Sequence, residues 1–292
     1  MNELNYMDEI KSKASILVEA LPYVRRFRGS IFVVKYGGSF MDSPNPEVRS
    51  QVAQDLVFLH FVGIKVVVVH GGGKAVTKEL GIRGIEAKFV DGLRVTDHKT
   101  IEVVDEVLNY KVNGEVASFV SNFDCAVKRI PGKQILSCSK LSHSPDLGFV
   151  GEVNSVKTEA ITQAFESDTM PILSSTGSDT SGQCYNINAD IAAAQVAIAL
   201  KARRLVYLSD VPGLLKNPSD PMSLLSSLAI DQVEPLIKEG IISEGMLPKV
   251  NSAVEALNKG VNRVHFIDGR LAHSILLEIF TDQGIGTEII HE

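Results

Sequence analysis

Short runs of apolar residues alternate with longer amphipathic segments along the chain. Runs typical of strands cover residues 31–36, 65–70, 126–130, 134–139, 149–153, 170–175, 204–210, 263–268 and 286–290. Segments with helical periodicity cover residues 47–62, 74–80, 97–120, 158–167, 189–201, 230–239, 248–259 and 271–282. The runs KVVVVH and RLVYLSD are apolar on both faces, as in parallel strands that are covered from both sides. The pattern predicts an α/β fold whose open, mainly parallel central sheet has helices on both faces, a three-layer sandwich.

Residues 122–156 break this alternation. They contain several short runs separated by turn residues, such as Pro131-Gly132. Short runs joined by close turns are typical of hairpins. We therefore expect an antiparallel hairpin insertion that lies over one edge of the sheet.

The N-terminal segment predicts a helical arm with one narrow apolar stripe. Pro22 removes a backbone donor there and should kink or end the helix. The stripe has to be buried, either on its own domain or on a second subunit. Its residues follow steps of four and three, at Ile10, Ala14, Leu17, Leu21 and Val24.

Composition narrows the functional classes. The chain has 292 residues, a formal net charge of −6 and no basic block, so we expect no nucleic-acid partner. No apolar run reaches the roughly 18 residues that a membrane helix needs. The N-terminus mixes acidic and basic residues without an unbroken apolar stretch, so we expect a cytoplasmic protein. Cys125, Cys138 and Cys184 lack the spacing of zinc ligands and predict reduced thiols.

Two glycine-rich turns follow apolar strands directly. KYGGS (35–39) places Lys35 at a strand end, and HGGGK (70–74) joins a strand to a helix. Consecutive glycines let backbone N–H groups approach an anion, and a helix N-terminus favours negative charge. HGGGK lacks the first glycine and the final hydroxyl residue of the Walker A pattern. Each turn is a candidate phosphate site, with a plain tight turn as the alternative.

Four further segments place polar residues at the ends of predicted elements. In GLRVTD (92–97), Arg94 could bind a carboxylate through two nitrogens. In YNINAD (185–190), Asn188 and Asp190 suit a helix start, and the paired asparagines also suit a polar substrate. SDVPGLL (209–215) ends a strand, and GMLPK (245–249) leads into a helix.

Together and in order, these six segments resemble the amino acid kinase family, and within it the acetylglutamate branch, over nearly the whole chain. The resemblance implies ATP-dependent phosphorylation of the γ-carboxylate of N-acetyl-L-glutamate, a step of arginine biosynthesis, with Mg²⁺ carried on the ATP. It also implies three units: an N-terminal helix over 1–29, an amino-acid-substrate lobe over 30–200 and an ATP-binding lobe over 201–292.

The resemblance implies roles for the matching residues. Lys35 and Lys249 would flank the transferring phosphoryl group, and Asp190 would hold the two lysines. The substrate would be bound by Gly72, Gly73, Arg94, Asn186 and Asn188. The nucleotide would be bound by Gly37, Gly38, Ser209, Asp210, Gly213, Leu215 and Met246. No residue is expected to bind a metal directly.

The N-terminal arm and the C-terminal segment resemble the arginine-inhibited branch of that family. The resemblance implies a hexamer, a trimer of dimers joined through the N-terminal helix, and a PII-type signalling protein as a candidate regulator. It also implies an arginine site formed by Arg204, His265, Glu278 and Gly284. Three residues depart from the family pattern: Ser39, Lys74 and Arg204, which stands where the branch has lysine.

Two alternatives stay open at this point. A related kinase could act on an acylated aminoadipate or aspartate, although the pairing of GLRVTD with YNINAD argues against aspartate. A protein that keeps the fold without catalysis is a second alternative, and the presence of Lys35, Asp190 and Lys249 argues against it.

Overall fold

The computed structural model describes residues 3–37, 46–217, 219–242 and 246–291. Its α-helices are α1 (Glu3–Phe27), α2 (Pro46–Phe61), α3 (Gly73–Ile82), α4 (His98–Glu106), α5 (Asn113–Ser121), α6 (Glu159–Glu166), α7 (Ala189–Ala199), α8 (Ile230–Lys238), α9 (Leu247–Asn258) and α10 (Ser274–Ile279). Its strands are β1 (Ile31–Tyr36), β2 (Lys65–His70), β3 (Phe89–Val90), β4 (Leu93–Arg94), β5 (Val127–Ile130), β6 (Leu136–Lys140), β7 (Gly151–Val156), β8 (Met170–Ser174), β9 (Thr176–Ser178), β10 (Cys184–Asn186), β11 (Arg204–Ser209), β12 (Ser227–Ala229), β13 (Arg263–Asp268) and β14 (Thr287–Ile290).

One eight-stranded sheet forms the centre of the fold, in the order β12-β14-β13-β11-β1-β2-β8-β5. The six strands from β13 to β5 are parallel, and β14 runs antiparallel to β13. Alternate residues of β1 enter different apolar layers: Phe32 and Val34 pack with Leu56 of α2, and Val33 packs with Ala193 of α7. The predicted three-layer fold with a mainly parallel sheet is confirmed.

A second sheet, in the order β10-β9-β6-β7, contains the expected antiparallel hairpin formed by β6 and β7. The prediction was wrong for β5, which is the parallel edge strand of the central sheet and pairs with β8. Four residues with one fully buried side chain, Ile130, do not specify a partner strand. The register Ile130↔Leu173 follows instead from the position of α5, which precedes β5 and packs on β8.

The predicted helix over 97–120 is helical throughout, but its middle turn is not an α-helix. Residues Val107–Val112 form a π-helix between α4 and α5. The wider turn places Leu108 and Val112 against Gly72, where an added Cβ would lie 2.7 Å from Cδ2 of Leu108. A π-turn inside a helix often lies at a functional site.

The N-terminal helix α1 does not end at Pro22, since it continues to Phe27. Its C-terminal part packs on the domain through Phe27 and through Tyr23, whose ring lies against Phe280. Two residues of the predicted apolar stripe are not buried in a single chain, since Leu17 is 71% exposed and Leu21 is 53% exposed, whereas the side chain of Ile10 lies outside the described residues. No helix in the described ranges is both long and apolar enough to cross a bilayer.

The predicted boundary between the two lobes, at residues 200 and 201, lies in the turn between α7 and β11. The central sheet runs across that boundary, since β11 pairs directly with β1. The division into lobes stays a prediction. Cys125, Cys138 and Cys184 are free thiols, as expected.

Candidate active site

The parallel strands β2, β1 and β11 end at one edge of the central sheet and carry three groups of candidate residues. The glycine turn after His70 follows β2, Gly37 follows β1, and Asp210 follows β11. In open α/β sheets, ligands bind outside the carboxyl ends of the strands. Lys35, on β1, therefore lies between the predicted substrate side and the predicted nucleotide side.

Lys35 and Asp190 form a buried ion pair. Nζ of Lys35 lies 3.0 Å from Oδ1 of Asp190, and the two side chains are only 10% and 11% exposed. Oδ1 makes no well-directed hydrogen bond within the described ranges, so the attraction is chiefly ionic. Gly37 leaves room for the lysine, because a Cβ at that position would lie 2.7 Å from Nζ.

The start of α7 fixes the carboxylate of this pair. The side-chain Oδ1 of Asn188 accepts hydrogen bonds from the backbone N–H groups of Asp190, at 2.8 Å, and Ile191, at 3.2 Å. This N-cap satisfies two donors of the first turn, where a carboxylate is also favoured by the helix dipole. Asn188 thus orients Asp190, and it also lines a cavity beside the HGGG turn.

Lys249 lies in the first turn of α9, which packs against α7. Among the residues that the structure describes, no carboxylate lies within 4.0 Å of its Nζ, so its positive charge is not neutralised by an ion pair. The carbonyl of Lys249 accepts a hydrogen bond of 2.8 Å from the hydroxyl of Ser252.

The HGGG turn forms a tight nest at the N-terminus of α3. Gly72 caps the helix at φ 156°, a conformation that only glycine adopts readily, and Gly73 is its first residue. The first N–H groups of α3 have no intrahelical partner and can bind an anion. The turn needs glycine at Gly72 for a second reason, since Leu108 leaves no space for a side chain.

A network of hydrogen bonds around the buried ring of His70 stabilises this glycine turn. Nδ1 of His70 lies 2.8 Å from the carbonyl oxygen of Gly71, and Nε2 lies 3.0 Å from Nδ2 of Asn113. Arg129 donates from Nε to Oδ1 of Asn113 at 3.0 Å, which orients the amide. Burial lowers the pKa of His70 to about 4, so the ring is neutral at pH 7. The network therefore assigns the proton to Nδ1, which donates to Gly71.

Arg94 is 7% exposed, and only one of its two terminal nitrogens makes hydrogen bonds within the described part of the chain. Its Nη2 donates to the carbonyl of Gly73 at 2.7 Å and to the hydroxyl of Thr77 at 2.8 Å, and the guanidinium stacks on Phe89 at 4.7 Å. Nη1 is buried and has no hydrogen-bond partner in the described part of the chain. Burial lowers the pKa of Arg94. A buried cation with an unpaired donor is typical of a site that binds an anion.

The glycine turn and Arg94 border one cavity of about 160 Å³, which we call the glycine cavity. All five predicted substrate residues line it: Gly72, Gly73, Arg94, Asn186 and Asn188. Nδ2 of Asn186 donates to the hydroxyl of Thr96 at 3.3 Å, which leaves its carbonyl oxygen available to a ligand N–H group.

The predicted nucleotide residues lie around the ends of β1 and β11. The hydroxyl of Ser209 bonds the backbone of Val211, and Asp210 is exposed. Gly213 has φ 149°, and a Cβ there would lie 2.5 Å from Oγ1 of Thr287. The remaining described residues of the set are Leu215, which forms an isolated antiparallel bridge with Leu224, Met246, which precedes α9, and Gly37. Gly38 and Ser39 lie outside the described residues.

The four predicted arginine-site residues come together in a second, larger cavity of about 490 Å³. We call it the arm cavity, because Tyr23, Arg26 and Phe27 of the N-terminal helix α1 line it together with Arg204, His265, Glu278 and Gly284. Burial, and then the nearby Arg263, lowers the pKa of Arg204 to about 9. Nε of Arg204 and Nε2 of His265 are buried without a hydrogen-bond partner among the described residues.

Glu278 is the buried carboxylate of the arm cavity. Burial alone would raise its pKa, but hydrogen bonds from His265 at 2.7 Å and from the backbone N–H groups of Ile285 and Gly286 lower it overall. Gly284 lies against it, since a Cβ there would be 2.6 Å from Oε2. The arm cavity thus combines a fixed carboxylate with two buried nitrogen atoms that have no hydrogen-bond partner among the described residues.

Several site residues were missed by the motifs. Thr77 and Phe89 hold Arg94, and Asn113 and Arg129 hold His70, but none belongs to a recognised pattern. Thr77 could have been found from its spacing, because it lies one helical turn after Gly73 and faces the same side. Phe89 is the register partner of Arg94 in the short hairpin formed by β3 and β4. Asn113 and Arg129 come from segments distant from His70, and their sequence positions give no such signal.

Comparison with known proteins agrees with this site. The profile of the Amino acid kinase family matches residues 30–268. The chain is 46% identical over 282 residues to the acetylglutamate kinase of Syntrophomonas wolfei subsp. wolfei, a match that covers 96% of this chain and 98% of the relative.

Two solved structures share the fold. Both are the N-acetylglutamate synthase of Neisseria gonorrhoeae. In complex with coenzyme A and N-acetyl-glutamate it gives a TM-score of 0.84 at 25% identity, covering 96% of this chain and 63% of that chain. In complex with coenzyme A and L-arginine it gives a TM-score of 0.80 at 26% identity, covering 96% of this chain and 65% of that chain. This protein thus spans less than two thirds of the synthase. The family profile and the full-length kinase relative together show that the chain belongs to the amino acid kinase family, as a kinase related to the acetylglutamate kinases.

Proposed function

We propose that this protein transfers the γ-phosphoryl group of ATP to the γ-carboxylate of N-acetyl-L-glutamate, a step of arginine biosynthesis. One observation carries the proposal. Lys35, paired with Asp190 of α7, lies on β1, the strand between the glycine turn and β11, so an amino-acid substrate and a nucleotide would meet beside its ammonium group. The acetylglutamate kinase relative supports the choice of substrate.

The chemistry asks for cations and oriented amides rather than for a base. A γ-carboxyl group has a pKa of about 4.3 in model peptides and is already ionised at neutral pH. The barrier comes from bringing two anions in line, and preorganised positive charge lowers it. Lys35 and Lys249 supply that charge, and Asp190 keeps Lys35 in place. The glycine turn supplies N–H groups toward the attacking carboxylate.

The glycine cavity suits an acylated amino acid. Nη1 of Arg94 can bind the α-carboxylate, and the available oxygen of Asn186 can accept from the amide N–H. The volume of about 160 Å³ matches a small ligand rather than a peptide. The similar synthase fold, solved with N-acetyl-glutamate, supports the same ligand class.

ATP would lie on the β11 side, where Gly213 allows close approach to the backbone. No group of three acidic, histidine or cysteine side chains in the described ranges is arranged to hold a metal ion. Mg²⁺ would therefore be bound mainly by the phosphates and water, as is usual for this ion, and would neutralise phosphate charge.

We also propose that arginine binds in the arm cavity and inhibits the enzyme. The unpaired guanidinium nitrogen of Arg204 suits the carboxylate of a free amino acid, and the acidic residues Glu278 and Asp282 suit its cationic groups. The related synthase has been solved with L-arginine, which supports this ligand. The exposed stripe of α1 suits the exchange of arms between subunits in a hexamer.

The test is ATP-dependent formation of the hydroxamate from N-acetylglutamate, measured beside N-acetylaspartate, N-acetyl-aminoadipate and glutamate. We expect turnover of N-acetylglutamate only, inhibition by arginine, and a loss of roughly 10²–10³-fold in kcat in Lys35→Ala. Equal turnover of free glutamate would contradict the proposed substrate. A monomer on a sizing column would contradict the exchange of arms.

A further inference from the structure

A buried hydroxyl connects the two helices that carry Asp190 and Lys249. Tyr207, in the middle of β11, is fully buried, and its ring stacks on Phe266 with centroids 5.1 Å apart. Tyr207 is the register partner of Lys35 on the neighbouring strand. Register partners point to the same face of a sheet, so the tyrosine and the lysine lie side by side under α7 and α9.

The hydroxyl of Tyr207 contacts the first turn of α7 and the second turn of α9. Its oxygen lies 3.2 Å from the carbonyl oxygen of Asp190 and 2.8 Å from the hydroxyl of Ser252. Ser252 in turn lies 2.8 Å from the carbonyl oxygen of Lys249. Each hydroxyl has a single proton, so two of these three contacts are hydrogen bonds at one time. When Ser252 donates to Tyr207 and Tyr207 donates to the carbonyl of Asp190, the two hydroxyls connect α7 to α9, and loss of either one interrupts the connection. Burial raises the pKa of Tyr207 well above its ordinary value, so the phenol keeps its proton.

We infer that Tyr207 is a positioning residue for phosphoryl transfer: with Ser252, its hydroxyl fixes the first turns of α7 and α9, and thereby the relative placement of Asp190 and Lys249. The inference rests on the proposed function, in which these two groups and Lys35 surround the phosphoryl group. Lys249 has no ion pair in the described part of the chain, so its placement depends on the backbone of α9. Catalytic groups that are held only through their backbone need such a supporting contact.

The variant Tyr207→Phe distinguishes the role of the hydroxyl from the role of the aromatic ring. Phenylalanine keeps the stacking on Phe266 and the buried volume and removes one oxygen atom. We expect kcat to fall about tenfold, the equivalent of one lost hydrogen bond in the transition state, with KM for ATP and for N-acetylglutamate changed less than twofold. Ser252→Ala should give the same loss, and the double variant should be no worse than either single variant within twofold.

Two comparisons distinguish positioning from a general structural role. Tyr185→Phe is the matched control, since it removes the same atom from a buried tyrosine whose hydroxyl bonds Asp179 in the second sheet, 3.3 Å away. It should leave kcat unchanged. In a Lys249→Ala background, Tyr207→Phe should cause no further loss, because the group that it places is gone.

Hydrogen exchange measured by mass spectrometry gives a readout that does not depend on turnover. The amides of the first turns of α7 and α9 should exchange faster in Tyr207→Phe and Ser252→Ala, and not in Tyr185→Phe. Unchanged kcat in Tyr207→Phe, or an equal loss in the Lys249→Ala background, overturns the inference. If the wild-type protein does not phosphorylate N-acetylglutamate, the proposed function fails. The hydrogen-exchange rates then test the inference alone: it is overturned if the first turns of α7 and α9 exchange at the wild-type rate in Tyr207→Phe. Should Tyr207→Phe not fold, Ser252→Ala carries the same test.

Discussion

The glycine cavity and the arm cavity both contain a buried arginine with an unpaired nitrogen, but they hold it differently. Arg94 is fixed by two hydrogen bonds from Nη2 and by the ring of Phe89. Arg204 has one hydrogen bond, to the carbonyl of Arg203 at 3.1 Å, and lies over the ring of Phe27 at 5.2 Å. The first guanidinium is therefore held by two hydrogen bonds and a ring, and the second by one hydrogen bond and a ring of the N-terminal helix.

The two histidines differ in the same sense. His70, below the glycine cavity, bonds an amide and a backbone carbonyl and stays neutral. His265, in the arm cavity, bonds the carboxylate of Glu278. A cavity built from backbone groups, amides and one fixed arginine suits one anionic ligand in one orientation, which catalysis requires. A cavity with charges of both signs suits a zwitterion whose binding depends on the position of α1.

The largest expected effect separates the two cavities by function. Arg94→Ala should lower kcat/KM for N-acetylglutamate by roughly 10³-fold, because it removes a buried charged partner of the substrate carboxylate. The concentration of arginine that halves the remaining activity should stay the same. Arg94→Lys is the matched control and should recover only part of the loss, since lysine keeps the charge without the planar fork. A change in arginine sensitivity would contradict the independence of the cavities.

The second prediction concerns the neutral histidine under the glycine turn. The pKa of His70 is lowered from 6.5 to about 4, so between these pH values the unfolded chain binds a proton that the folded chain does not. The free energy of unfolding should therefore fall by roughly 3 kcal/mol from this group as pH drops from 6.5 to 4. His70→Gln should remove that part of the slope, measured by urea unfolding at several pH values.

The pH dependence of His70→Gln has to be compared with that of the wild type, because Asp55 also changes the free energy of unfolding in this pH range. Burial raises the pKa of Asp55 to about 6, and its contribution has the opposite sign between pH 3.8 and 6. It is present in the wild type and in His70→Gln alike and cancels in the comparison. Equal slopes in the two proteins would mean that His70 is protonated in the folded state.

A third effect should appear in the arm cavity alone. Arg204→Ala should raise the arginine concentration for half-inhibition about 30-fold, because the ligand carboxylate loses its charged partner. kcat without arginine should stay within twofold of the wild type. Arg204→Lys, which restores the residue of the arginine-inhibited branch, should keep most of the sensitivity. If Arg204→Ala is inhibited like the wild type, arginine binds elsewhere or does not bind.

The smallest effect tests how Arg94 is aimed. Thr77→Val removes the hydroxyl that accepts from Nη2 and keeps the shape of the side chain. The hydrogen bond to the carbonyl of Gly73 remains, so KM for N-acetylglutamate should rise only about fivefold. Thr77→Ser should behave like the wild type. A loss as large as that of Arg94→Ala would show that the threonine, rather than the glycine carbonyl, orients the guanidinium.

Much of this architecture was predictable where one strand or helix carries its own signal. The apolar strands β2 and β11, the glycine turn between β2 and α3, and the start of α7 follow from local pattern and backbone chemistry. Lys35 was identified because it precedes Gly37 in KYGGS, and Arg94 because it follows Gly92 in GLRVTD. The described part of the glycine cavity contains all five predicted substrate residues.

Other features depend on contacts between distant segments. The partner of β5 was missed because four residues pair equally well with an insertion or with an edge strand. The π-turn over Val107–Val112 was missed because its wider spacing is stabilised by packing on Gly72 and by Arg129, which bonds the carbonyl of Tyr110 at 3.0 Å. In the sequence alone, Tyr207 is an ordinary tyrosine of a predicted strand and Ser252 an ordinary serine of a predicted helix. Only the fold brings their hydroxyls together.

The position of β1 in the central sheet has a consequence for the choice of substrates. The strand before the glycine turn and the strand before the nucleotide residues are its two immediate neighbours. Neighbouring strands are about 4.8 Å apart, so the two reactants are brought in from strands roughly 10 Å apart. Because backbone hydrogen bonds join these strands, their spacing stays constant. A longer or shorter acceptor would have to be accommodated by the depth of its own cavity, and the reacting oxygen would still have to meet the phosphate above the same strand.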